Sequence, residues 1–190
     1  MSLAIQHRHA TLPVAYVVGG TTDSTTETVF HSTGGTTTSG GYLLVEANTL
    51  RVGDLFQCFA LVDCPSTNSS DTLTLKAYLG PESGPTTGIL VCDQTAIDMA
   101  NDGEVALTWW VAVEAVGAGS TARFSSGGFS FADGATAISK TVARTQTDAQ
   151  LSTATQNVFA LTATWSASSA DNSARLRSFH YLKYPALPSQ

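Results

Sequence analysis

Apolar and polar residues alternate with a period of two along much of the chain, which is the pattern of β-strands with one buried face. In Leu73–Leu79 the leucines share one side, and Lys76 and Tyr78 take the other. The longest such run is Glu104–Val116, whose second side carries Trp110 and is therefore expected to be partly covered. The same pattern predicts further strands at Ala15–Val18, Glu27–His31, Tyr42–Ala47, Leu55–Val62, Gly88–Asp93, Thr121–Phe131, Ala137–Arg144, Asn157–Ser166 and Ala174–Tyr184.

Helical periodicity is nearly absent, and Thr95–Ala100 is predicted to form a single helical turn at most. Sequences rich in Gly, Pro, Ser and Asn separate the strands at Gly80–Pro85, Asn101–Gly103, Gly117–Ser120 and Ser166–Asn172. Short strands with turns at this spacing are typical of antiparallel sandwiches and barrels. The chain is therefore predicted to be all-β, with about ten strands and little or no helix, and periodicity alone leaves the topology open.

Charge is scarce for a chain of 190 residues: only 13% of the residues are charged, against about 25% in ordinary globular domains. Ser and Thr take much of the vacant share. Charged side chains normally cover solvated surface because burying them is costly. The composition therefore predicts either a hydroxyl-rich surface or a surface largely hidden in partners, and the second is favoured.

The formal net charge of −6 and the scattered Lys and Arg residues argue against nucleic-acid binding. The first residues lack the apolar core of a signal peptide, and no run approaches the ~20 apolar residues of a membrane span. A product made in a cytoplasm is expected. The three cysteines Cys58, Cys64 and Cys92 fit this expectation and are predicted to be buried and reduced.

Motifs for chemistry are weak. The segment Gly117–Ala122 matches G-x-G-x-x-A, but no helix follows it, so a hairpin turn is predicted. No G-x-S-x-G sequence indicates a hydrolase. The segment Asn68–Ser70 has the form of a glycosylation site but is expected to be an ordinary loop in a cytoplasmic product. No catalytic or cofactor-binding residue is predicted.

Two sets of side chains leave alternatives open. His7 and His9 would face one side of an extended segment, and three copies around an axis could share a metal there. Incidental histidines in an N-terminal arm are the favoured interpretation, and no metal is predicted. The tryptophans Trp109, Trp110 and Trp165 would form a sugar-stacking platform if exposed, although aromatic residues on strands more often belong to a core or an interface.

Four blocks in a fixed order resemble the trimeric jelly-roll domains of bacteriophage virions. They are Thr49–Asp54 (Thr-Leu-Arg-Val-Gly-Asp), Leu73–Gly80 ending in Leu-Gly, Glu104–Val116, and Leu161–Asn172. The resemblance spans roughly residues 41 to 184. The residues themselves suggest a β-corner, in which Gly53 takes an unusual backbone angle and Asp54 accepts backbone hydrogen bonds. Leu50 and Val52 would plug one end of the sandwich.

The resemblance implies a jelly-roll β-sandwich at residues 14–184, with an N-terminal docking arm at 1–13 and a C-terminal tail at 185–190. It further implies a virion protein and not an enzyme: a homotrimeric capsid-decoration or head-fibre protein that binds the major capsid protein or other virion proteins. One alternative is a tail-fibre tip that recognises host glycans through the loops Thr21–Gly41 and Gly80–Gly88. A single-jelly-roll capsid protein ranks lower because its arm would carry only Arg8 as a basic residue besides histidine.

Overall fold

A computed structural model describes residues 6–9, 16–19, 25–30, 42–66, 70–99, 102–132, 144–146 and 151–186. Nearly all regular structure in these ranges is β, as the alternating pattern predicts. The described strands are β1 (Gln6–His9), β2 (Tyr16–Gly19), β3 (Thr28–Val29), β4 (Tyr42–Val45), β5 (Leu55–Ser66), β6 (Thr72–Pro81), β7 (Ile89–Asp98), β8 (Gly103–Ala115), β9 (Arg123–Ala132), β10 (Arg144–Gln146), β11 (Asn157–Trp165) and β12 (Ser173–Tyr184). Two short 3₁₀ turns, Pro85–Thr87 and Gly119–Thr121, lie in the connections.

The strands form two antiparallel sheets that face each other. The larger, sheet A, has the order β1-β12-β5-β8-β9-β10, with β2 also paired to β12. The smaller, sheet B, has the order β3-β11-β6-β7, with β4 also paired to β11. The predicted antiparallel β-sandwich is therefore confirmed.

The pairing is nested in the manner of a jelly roll. Strand β2 pairs with β12, β4 with β11, β5 with β8, and β6 with β7, all antiparallel. Successive pairs alternate between sheet A and sheet B, so a long hairpin is wrapped into a sandwich with β6 and β7 at its closed end. Strands β9 and β10 are added to the edge of sheet A beyond β8.

The core lies between the two sheets and consists of the inward members of each alternating run. Phe56, Phe159 and Tyr181 form an aromatic cluster with ring centroids 5.3 to 5.8 Å apart. A Cβ at Gly128 would lie 2.7 Å from the Cβ of Trp109, so a glycine is needed at the position of β9 that lies opposite Trp109 on β8.

Strand β7 of sheet B extends through a segment that the sequence predicts to be helical. The helical turn expected at Thr95–Ala100 is wrong for its described residues, because β7 continues to Asp98. A bulge in the pairing with β6 includes Ala96, whose φ is +56°, and leaves Thr95 and Ala96 both exposed. Two successive exposed positions break the period of two and imitate a helical spacing.

The ends of the chain contribute to sheet A more than the sequence pattern indicated. Gln6–His9, inside the segment predicted as a docking arm, pairs with β12 as strand β1. The strand predicted at Ala137–Arg144 lies outside the described residues except for its last position, which begins β10. Within the described part of the chain, no helix has the length and apolar character needed to cross a membrane.

Candidate interaction surface

On the outer face of sheet A, four successive rows of side chains run across the neighbouring strands β12, β5, β8 and β9. These four rows contain no Lys, Arg, Asp or Glu. The antiparallel register aligns these side chains in rows because residues two apart on a strand share a face. We call this surface the neutral face; it comprises Tyr184, Leu182, His180 and Ser178 on β12, Leu55, Gln57, Phe59 and Leu61 on β5, Ala112, Trp110, Thr108 and Ala106 on β8, and Ser125, Gly127, Phe129 and Phe131 on β9.

Several aromatic side chains of the neutral face are exposed. Trp110 is 36% exposed, Phe129 is 37% exposed and Phe131 is 57% exposed. Phe129 and Phe131 meet edge to face with ring centroids 5.3 Å apart. Phe59 stacks on His180 at 5.0 Å. An apolar aromatic surface of this kind on a sheet face is typical of an interaction site.

A hollow of about 430 Å³ lies in the middle of the neutral face, over Thr108. Its walls include Leu55, Phe59, Trp110 and Phe129. The Thr108 hydroxyl donates to the backbone oxygen of Cys58 at 3.2 Å, so its one proton is already used within the sheet. The hollow therefore suits an apolar group better than a polar one.

Charges lie beyond both ends of the neutral face. At one end, Asp63 pairs in register with the exposed Glu104 and forms an ion pair with Arg177 at 2.7 Å. At the other end are the exposed side chains of Glu114 and Arg123. The neutral face thus has a charged rim of both signs at its two ends.

The outer face of sheet B differs because charged groups lie in its middle. Glu27, next to β3, receives hydrogen bonds from Lys76 Nζ at 3.2 Å and from Thr162 Oγ1 at 2.7 Å. Burial alone would raise the pKa of this carboxyl, but the hydrogen bonds from Thr162, Tyr78 and Lys76 outweigh burial and lower it below 4.5. The ionised carboxylate therefore links β3 to β6 and β11.

Glu27→Gln is expected to reduce the acid sensitivity of the fold. Because the folded-state pKa is lowered, the stabilising contribution of Glu27 is present above its unfolded-state value and is lost as pH falls below about 4.5. The unfolding free energy of the wild type should therefore fall more between pH 6 and about pH 3 than that of Glu27→Gln, as measured by urea titration at several pH values. Glu104→Gln, at an exposed carboxylate, is the control; equal pH slopes for the wild type and Glu27→Gln would contradict the assignment.

A second feature is a polar pocket of about 360 Å³ at the Gly53–Asp54 corner. Asp54 is fully buried, and both its carboxylate oxygens are occupied: Oδ1 by the Ala186 amide at 2.8 Å, Oδ2 by the Arg51 amide at 2.9 Å and by Lys183 Nζ at 2.8 Å. Lys183 Nζ also donates to the Thr49 carbonyl at 2.7 Å. This arrangement fixes the corner and holds residue 186 against it.

The predicted role of the corner is confirmed in most details. Gly53 has φ of +90°, which side chains with a Cβ rarely adopt, and Asp54 accepts backbone hydrogen bonds. Leu50 is buried as expected. Val52 is 56% exposed, so the prediction that it plugs the sandwich is wrong.

The structure separates the three tryptophans. Trp109 and Trp165 are buried in the core, so a platform made by all three does not exist, and Trp110 alone of these is exposed. Cys58, Cys64 and Cys92 are buried and reduced, as predicted. Burial, and to a lesser degree Asp63, raises the pKa of Cys64 to about 12; burial, then Cys92, raises that of Cys58. Thiols with raised pKa values are poor nucleophiles.

The remaining motifs have simple outcomes. The segment Gly117–Ala122 is a hairpin connection between the antiparallel strands β8 and β9, as predicted. His7 and His9 lie on the extended strand β1, opposite Leu182 and His180. No cluster of three potential metal ligands occurs among the residues that the structure describes. Most of Asn68–Ser70 and of the Thr21–Gly41 loop lies outside the described residues.

Comparison with known proteins adds little. No protein-family model and no curated protein matches the chain. Among solved structures, a lectin from Bauhinia forficata in complex with GalNAc aligns with 97% of this chain and all of its own, at 10% identity and a TM-score of 0.38. The CBM2 module of an evolved Dit from Lactobacillus casei BL23 phage J-1 aligns with 78% of this chain and 70% of its own, at 13% identity and a TM-score of 0.31. At these TM-scores neither similarity supports an inference, and the jelly-roll assignment depends on the strand pairing.

Proposed function

We propose that this protein is a structural component of a bacteriophage or phage-like particle, a homotrimeric decoration or head-fibre protein that binds the particle surface. The observation that supports this most directly is the neutral face of sheet A, whose aromatic side chains are exposed in a single chain. Covering a face of this composition with another protein surface lowers the free energy, because apolar surface is removed from water. The scarcity of charge in the sequence points the same way.

The proposed partners are further copies of this chain together with the major capsid protein or other virion proteins. A symmetric shell presents many equivalent sites, so a trimer that makes several weak contacts binds far more tightly than one copy. Catalysis is not part of this proposal, and the raised pKa values of Cys58 and Cys64 are consistent with a structural role for both. The protein is expected in the virion after synthesis in the host cytoplasm.

The oligomeric state is the direct test. At roughly 10 µM, sedimentation equilibrium should give a mass three times that of the 19.8 kDa chain, because three copies are expected to cover one another's apolar surface. Negative-stain images of the same sample should show three-lobed particles. A monomer over the full micromolar range would contradict the proposal, since nothing would then cover the neutral face in solution.

A second candidate is a receptor-binding tip that recognises host-surface glycans. It is favoured by one observation, the exposed indole of Trp110 beside the hollow, because sugar rings stack on exposed aromatic faces. The sequence also offers the loop Gly80–Gly88 for this function. In this loop the backbone of Gly88 approaches Leu79 and Gly80 so closely that a Cβ at Gly88 would overlap the Leu79 carbonyl oxygen. Glycan-array binding that Trp110→Ser abolishes would support this candidate over the first.

A further inference from the structure

We infer that the neutral face is the surface through which copies of this chain associate, with the hollow over Thr108 receiving an aromatic side chain of a neighbouring copy. This inference rests on the proposed homotrimer and specifies its contact surface. The neutral face contains a hollow and a projecting aromatic side chain. The hollow has apolar walls, and Phe131, on the same face, projects with 57% of its surface exposed.

The size of the neutral face fits a protein partner. Four strands about 4.8 Å apart and seven residues at about 3.4 Å each give a projected area of about 400–500 Å² with side chains included. A stable interface needs about 800 Å² per partner. The neutral face would therefore form the apolar centre of such an interface, and the surrounding rim would supply the remainder.

The rim fits a second copy in particular. Its ends carry both signs of charge, with Glu104 and the Asp63–Arg177 ion pair at one end and Arg123 and Glu114 at the other. Each copy can therefore offer an acidic and a basic partner to the next, in the common arrangement of a polar rim around an apolar core. An entirely acidic or basic partner would meet like charges at both ends.

The polar groups of the hollow argue against a sugar as its occupant. A sugar needs several hydrogen-bond partners around its ring, but the Thr108 hydroxyl has already given its one proton to the Cys58 carbonyl, and Gln57 Oε1 already accepts from Tyr184 Oη at 3.3 Å, so the hollow offers a sugar few groups to bind. The amide N–H groups of Gln57 remain as donors. An aromatic side chain of a protein partner needs only the apolar walls of the hollow and no further hydrogen-bond groups.

The projecting side chain of Phe131, which we call the knob, and the hollow occupy different places on one face. Phe131 lies level with Ala106 and Leu61, whereas the hollow lies over Thr108 at the neighbouring level and extends towards Leu55. A contact in which the knob of one copy enters the hollow of the next joins two different patches. Heterologous contacts form a closed ring when the rotation between copies allows it, and a homotrimer is such a ring with three members.

Ala106→Lys is the most direct test, because Ala106 is an exposed position beside Phe131 in the last row of the neutral face and its replacement removes no core side chain. The added charge would be buried at the contact, so association should weaken by at least ~100-fold in sedimentation equilibrium. Phe131→Ser, which removes the knob, should also produce monomers. Val52→Lys and Val52→Ser are matched controls at a corner residue that is 56% exposed, and both should remain trimeric.

The outcomes separate this inference from the proposed function. A wild-type monomer contradicts both. A trimeric wild type whose Ala106→Lys and Phe131→Ser variants also stay trimeric contradicts the surface assignment alone. If the wild type binds neutral monosaccharides in calorimetry and Trp110→Ser abolishes that binding, the occupant is a glycan and the inference is wrong. Circular dichroism melts of each variant show whether a monomer is still folded, and a folded Ala106→Lys monomer supports the inference.

Discussion

Asp54→Asn is expected to lower the free energy of unfolding by about 3–5 kcal/mol, among the largest effects of any conservative change in this chain. The wild-type carboxylate is fully buried and receives hydrogen bonds from two backbone amides and from Lys183 Nζ. An asparagine would leave the Lys183 ammonium, whose side chain is 11% exposed, without its counter-charge. An uncompensated buried charge is costly because the protein interior solvates it poorly.

A double-mutant cycle would identify the origin of this effect. Lys183→Met should be less damaging than Asp54→Asn, because Asp54 keeps both backbone donors and methionine places an unbranched apolar side chain beside the Phe56 ring. The double variant should recover part of the loss. Asp102→Asn is the control, since it makes the same chemical change at an exposed turn whose positive φ asparagine tolerates. Urea unfolding at a fixed protein concentration measures the stability of the two single variants, the double variant and the control. If Asp54→Asn lowered the free energy of unfolding by less than about 1 kcal/mol, the ion pair would not be what holds the corner.

Trp109→Ala is expected to cost about 3–5 kcal/mol through the cavity that it leaves in the core. The indole is 1% exposed, packs on Phe179 with centroids 5.6 Å apart, and lies against Gly128. Trp109→Phe should cost far less, about 1–2 kcal/mol, for two reasons. Phenylalanine keeps most of the buried volume, and it removes a buried Nε1–H that has no hydrogen-bond partner among the described residues.

The matched comparison for this prediction is the adjacent residue. Trp110→Ala and Trp110→Phe, at a tryptophan that faces outward, should each change the stability of the dissociated monomer by less than about 1 kcal/mol. Circular dichroism in urea is the suitable measurement because it does not depend on the fluorescence of the residues being removed. If Trp109→Phe and Trp109→Ala lowered the free energy of unfolding equally, both reasons given for the milder effect of phenylalanine would be wrong. These reasons are the retained volume and the removal of the unpartnered Nε1–H.

The central strands were predictable because each alternates over enough residues to fix both its existence and its inward side. Strands β6, β8 and β12 begin and end within two positions of the predicted limits. Period two fails where a bulge places two neighbouring residues outward, as at Thr95 and Ala96 in β7. It also fails at β1, since Gln6–His9 has no apolar alternation and is a strand because β12 offers it a pairing edge.

The candidate surface could be anticipated only one strand at a time. Trp110 led to the expectation that the second side of β8 is partly covered, but the neutral face exists because four strands align in register, and sequence does not give that register. The corner pocket shows the same limit. Asp54 was expected to accept backbone hydrogen bonds, whereas Lys183 is a lysine at an inward position of β12 whose partner lies far away in the sequence.

The position of β12 has a consequence for how the protein is made. This strand pairs with β1, β2 and β5, yet the ribosome synthesises it after every other described strand. A nascent chain therefore cannot complete sheet A while β12 is inside the exit tunnel, and β5 keeps an unpaired edge until β12 has emerged. Unpaired edges recruit other chains, so slow translation or ribosome stalling before β12 emerges should favour aggregation, and chaperones that shield emerging strands should raise the yield of folded protein.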